Sequence, residues 1–178
     1  MRLNGLIMIF AAVLVLNSAC SSSEEESSMY TGREVSYNLL EGSYMENTTS
    51  GNIVVKERND HSIDIQLFLD GTLDEAVHPV HLHYGSLVDD GLVAEYLHNV
   101  EDIGDHHGES ITHLTQLADG STITFDSFIE MDGSIKVHFE EEGPLKDVIL
   151  GATNIGTNYS MSDVGLIGDI SICNSKTQ

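Results

Sequence analysis

From residue 50 onward the chain reads in twos. Residues 62–69, Ser62-Ile63-Asp64-Ile65-Gln66-Leu67-Phe68-Leu69, set an apolar side chain at almost every second position. Successive side chains of a strand point to opposite faces, so this spacing buries one face and leaves the other polar. The same alternation marks residues 51–57, 78–83, 122–126 and 134–139, and shorter apolar stretches suggest strands near 35–40, 92–97, 147–151 and 164–172. Asn59-Asp60, Asp119-Gly120 and Asp132-Gly133 are turn signals between or before these runs. No stretch carries a sustained helical period. About eight short strands at close spacing predict an all-β fold, a Greek-key antiparallel sandwich or barrel. Residues 99–109 hold Glu101, Asp102, Asp105, His106 and His107 without alternation, and read as a polar loop.

The N-terminus belongs to a different regime. Arg2 precedes an apolar run over residues 6–16 that has the length of a leader and is too short to span a bilayer. Asn17-Ser18-Ala19-Cys20 then resembles a bacterial lipoprotein signal, which implies lipidation of Cys20; a plain secretory leader is the alternative. Ser21-Ser22-Ser23-Glu24-Glu25-Glu26-Ser27-Ser28 reads as an acidic flexible tether and resembles export tags that send some lipoproteins to the cell surface. The expected organisation is a leader over 1–19, a tether over 20–33 and one β domain over 34–178. The expected location is the bacterial cell envelope, as an outer-membrane lipoprotein held by its lipid anchor.

Charge narrows the partners. Seven basic residues face 29 acidic ones, a formal charge of −22. Such a surface repels nucleic acid and anionic lipid and attracts cations. The chain has two cysteines; with Cys20 lipidated, Cys173 has no intramolecular partner and no disulfide staples the domain.

The candidate chemistry lies in nine histidines. In His78-Pro79-Val80-His81-Leu82-His83, Val80 and Leu82 face the core and put His81 and His83 together on the other face. His138, between Val137 and Phe139, leaves the core in the same way. Neutral imidazole is a ligand for copper and zinc, so convergence of these three would form most of a metal site. His98, His106, His107 and His113 sit on or beside the polar loop, with Asp102 and Asp105 as carboxylate candidates. A solvated His-x-His pair and ordinary polar loop residues are the competing readings.

The order of elements from Tyr37-Asn38-Leu39-Leu40 through the apolar His81-Leu82-His83-Tyr84-Gly85 strand resembles the first half of copper/zinc superoxide dismutases, and Ile135-Lys136-Val137-His138 resembles the strand with that family's last copper ligand. The resemblance implies a dismutase-like barrel, copper on His81, His83 and His138, and zinc-type ligands from the loop histidines with Asp105. It also implies conversion of superoxide to dioxygen and hydrogen peroxide. His81-Leu82-His83-Tyr84-Gly85 followed by Gly91-Leu92-Val93 equally resembles chordin-type (CHRD) domains, which implies an adhesion or assembly module without functional metal. Two features depart from the dismutase pattern: the cysteine bridge is missing, and no arginine follows Arg58.

Overall fold

A computed structural model describes residues 29–42, 49–72, 75–89, 91–159 and 170. Cys20, the span expected as leader, most of the span expected as tether and most of residues 160–178 lie outside the described residues. Eight strands close into an antiparallel barrel: β1 (Tyr30–Glu41), β2 (Ser50–Arg58), β3 (Ile63–Asp70), β4 (Val77–Tyr84), β5 (Val93–Gly104), β6 (His107–Leu114), β7 (Asp132–His138) and β8 (Ile149–Gly156). Around the barrel they run β1-β2-β3-β6-β5-β4-β7-β8. The links from β3 to β4 and from β6 to β7 therefore cross between non-neighbours, a Greek-key pattern. The closing pair is short, with Leu40 opposite Ala152 and Glu41 opposite Gly151.

Alternation does what the sequence expects in β2, β3, β4 and β7. Ile53, Val55, Ile63, Ile65, Leu67, Leu69, Val80, Leu82, Ile135 and Val137 fill one continuous core. Closure removes every sheet edge, which suits a barrel built from such apolar faces. A second, smaller cluster of Leu87, Ile149 and Ala152 lies apart from that core, with Leu40 and Ile170 packed against it. Ala152 and Lys136 are cross-strand partners, as are Lys136 and His81, so this cluster covers the outside of β7 and β8 beside the histidines.

Three expectations are corrected. The barrel begins at Tyr30, inside the span expected as tether: the Tyr30 hydroxyl donates to Asp64 at 2.5 Å, and Arg33 pairs with Glu57 at 3.2 Å and with Asp126. Residues 99–109 are no irregular loop but the β5–β6 hairpin, turned by Asp105 and His106, both at positive φ (53° and 63°). Two positive-φ residues define the tight turn that suits strand twist. Residues 122–126 are not a strand. Thr122 makes one isolated bridge with Gln116, and Thr124 caps a short helix α1 (Phe125–Ile129) through a reciprocal bond pattern with Ser127. Phe125 and Phe128, three apart on one helical face, are buried in the main core. The predicted strand at 164–172 lies outside the described residues apart from Ile170.

Candidate metal centre

β4 delivers the pair. Its register sets His81 opposite Tyr96 of β5 on one side and Lys136 of β7 on the other, while His83 lies opposite Ser134. His138, two residues after Lys136 at the end of β7, shares its outer face and comes beside His81; the register with β8 shifts between Val137 and His138. The rings of His81 and His138 lie 4.5 Å apart between centroids, and those of His81 and His83 5.9 Å. The three histidines offer ligand nitrogens all within 4.8 Å of one another. Metal–imidazole bonds of about 2.0–2.1 Å put two nitrogens on one ion up to ~4 Å apart. Side-chain shifts of under about 1 Å would therefore bring these nitrogens onto a common ion.

Backbone carbonyls set two of the three rings. His83 Nδ1 donates to the Gly91 carbonyl at 2.9 Å, and His138 Nδ1 to the Lys146 carbonyl at 3.2 Å. A carbonyl only accepts, so Nδ1 carries the proton in both and the lone pair resides on Nε2. One shell further out, His78 Nδ1 donates to the Phe139 carbonyl at 2.9 Å, tying β4 to the residue after His138. His81 differs. Its Nδ1 is buried and has no hydrogen-bond partner among the described residues. An unsatisfied buried ring nitrogen costs free energy, and a metal ion would satisfy it.

Electrostatics favours the neutral form of His81 and of His138. Burial, then the proximity of His138, His83 and Lys136, push His81 down to about 3. Burial also lowers His138, against an opposing hydrogen bond to Lys146 and the charge of Asp147. Deprotonated imidazole is the form that binds metal. Lys136 is 1 % exposed, although alternation places it on the outer face with the histidines.

The centre borders a cavity of about 430 Å³ lined by His81, His138, Tyr96, Asn99 and the carboxylates of the β7–β8 connection. The Tyr96 ring stands edge-on to His81, 4.9 Å between centroids and 83° between planes. A metal held by three imidazoles and open on this side has the ligand count of zinc centres that retain an exchangeable position, and suits copper equally.

The remaining expected ligands go elsewhere. His98, exposed on β5, bonds the Ile111 carbonyl at 2.8 Å. His106 lies in the hairpin turn with Nδ1 on the Thr72 carbonyl at 3.1 Å, and Asp105 beside it is exposed. Along β5 that turn is ten residues from Tyr96, about 30 Å at ~3.3 Å per residue. His107 pairs with Asp70 at 2.6 Å, and His113 with the buried Asp64 at 2.8 Å. Asp102 accepts the backbone N–H groups of Glu75 and Gly104. Among the described residues, His81, His83 and His138 are the one group of three or more ligand-type side chains close enough to share an ion. Sequence reading missed the partners that orient them: Gly91, Lys146, Phe139 with His78, and Tyr96. His78 had a signal, as the first member of His-Pro-x-His-x-His, but the carbonyls had none.

No protein-family model matches the chain, and no curated protein matches it either.

Proposed function

We propose that the protein is a lipid-anchored module of the bacterial cell envelope that holds one copper or zinc ion through His81, His83 and His138. The observation that carries this reading is the convergence of the three imidazoles, with a buried His81 Nδ1 that has no hydrogen-bond partner among the described residues. A chordin-type module without metal expects the three rings apart or occupied by hydrogen-bonding partners; carbonyls do engage Nδ1 of His83 and His138, but the three rings meet, and that favours the metal reading. When bound, the ion would supply a Lewis-acid or one-electron centre; His81, His83 and His138 hold it, while Gly91 and Lys146 fix two of the rings.

A dismutase is the second reading, and one observation favours it. Lys136 lies close enough for its charge to lower both His81 and His138, so one positive group stands beside the triad, although it does not line the cavity. The cavity wall argues the other way, with Glu140, Glu141 and Asp147 against Lys146. Negative walls slow an anionic substrate.

Metal analysis of the purified protein after copper and zinc loading tests the first reading, beside a His81→Ala/His83→Ala variant. The expected result is about one equivalent in the parent and none in the variant; no retained metal in the parent would sink it. A superoxide assay on the loaded protein then separates carrier from enzyme. Replacing Cys20 by Ser is expected to move the protein from the membrane to the soluble fraction.

A further inference from the structure

We infer that the cavity beside the triad is an entry vestibule for an aquated metal cation, drawn in by Glu141 and Asp147 before the imidazoles take it. This rests on the metal reading above and names the form in which the ion arrives.

Three observations converge on it. The cavity touches His81 and His138 directly, while His83 takes no part in its wall. An ion approaching from outside therefore meets those two rings first. Size is the second. At about 30 Å³ per water, an ion with six waters occupies roughly 200 Å³. The cavity, at about 430 Å³, has more than that volume. Charge is the third. The described wall carries three carboxylates and one lysine. Glu140 is already engaged, since it accepts the Leu145 N–H at 2.6 Å and shapes the connection. Glu141 and Asp147 are exposed at the rim, and the charge of Asp147 already reaches His138.

The order of ligands follows from their chemistry. Carboxylate oxygens hold a cation that keeps its water; imidazole nitrogens bind copper or zinc once water leaves. Pro79, Val80, Leu97 and the Tyr96 ring form the apolar part of the wall. Apolar walls strengthen the field from the rim. Buried Lys136 opposes any cation at the triad, and the rim carboxylates offset that repulsion. The same field turns small anions away.

Stopped-flow uptake of Co(II) by the purified protein tests the inference, following the metal–imidazole absorption at low and at moderate salt. Glu141→Gln/Asp147→Asn is compared with the parent, and Lys146→Gln serves as the converse change. The double variant is expected to bind at least ten-fold more slowly at low salt, with a flattened salt dependence and about one equivalent still bound. Lys146→Gln is expected to bind faster. Equal association rates in parent and double variant, with one equivalent bound in each, would overturn the vestibule and leave the metal site standing. A change confined to the dissociation rate would overturn it too, by making the carboxylates ligands of the bound ion. No uptake by the parent would remove the metal reading itself. Thermal melts of each variant check that these exposed substitutions leave the fold intact.

Discussion

His81 is held in a state that serves binding rather than stability. Its ring carries a buried nitrogen without a partner, and its neighbours are two imidazoles and a buried lysine. Such a group costs of the order of 1–3 kcal/mol when nothing satisfies it. His81→Leu is therefore expected to stabilise the metal-free protein by about 1 kcal/mol, or ~2–4 °C in melting temperature, while abolishing metal uptake. A variant that melts lower without metal would contradict this. Asp64 shows the opposite arrangement. Burial alone would raise its carboxyl, but hydrogen bonds from Tyr30, His113 and Arg58, with the charge of Arg58, outweigh it and hold it below the ordinary 3.8. A depressed folded-state pKa gives stability that is present above the unfolded value and lost as pH falls through the folded one. Asp64→Asn is expected to cost about 2–3 kcal/mol at pH 7, and the difference from the parent to shrink below about pH 4. Chemical denaturation across that range checks it. The residue directions were legible in sequence where period two governs: His81, His83 and His138 all leave the core as expected. The burial of Lys136 was not, because alternation reports which face a side chain takes and not what later covers that face.

At the scale of elements, the β5–β6 hairpin shows where a period fails. Glu101, Ile103, Gly104, His107 and Glu109 are exposed, so this end of the ribbon has little buried face to impose alternation. Polar residues on both sides then read as a loop. The α1 segment failed for a different reason: Thr122-Ile123-Thr124-Phe125 alternates, yet the cap at Thr124 and the spacing of Phe125 and Phe128 were the stronger local signals. The β4–β5 connection matters most to the site, because its Gly91 carbonyl orients His83. A Cβ at Gly91 would lie 1.6 Å from the Tyr84 carbonyl oxygen, far inside contact distance. The Tyr84 N–H also bonds the Leu92 carbonyl at 3.0 Å, so the segment cannot yield without loosening β4. Gly91→Ala is expected to weaken metal affinity about 10–100-fold, the usual effect of losing the hydrogen bond that holds a ligand ring. Competition with a chelator measures it; unchanged affinity would show that the carbonyl does not set the ring.

For the whole molecule, the barrel and its charge make separate demands. Closure supplies a continuous apolar core, while a formal charge of −22 works against compactness through self-repulsion. Fold class was legible because alternation marks β2, β3, β4 and β7, enough short strands at close spacing to require an antiparallel β fold. The Greek-key class was expected, but the short β1–β8 closing pair was not, since nothing local specifies which strands meet to close the barrel. Charge and site can be told apart by how each responds. Raising salt shortens the screening length from about 30 Å at 0.01 M to ~3 Å at 1 M, and is expected to raise the melting temperature of parent and His81→Ala/His83→Ala alike. An ion that binds only the folded state adds about 4 kcal/mol at a free concentration 1,000 times its dissociation constant. At that loading the parent alone is expected to gain a further ~8–16 °C. Scanning calorimetry with and without zinc, at high and low salt, gives both responses in one set of melts. If metal raised both proteins equally, the gain would come from cations condensing on an acidic surface, and the three imidazoles would have no part in it.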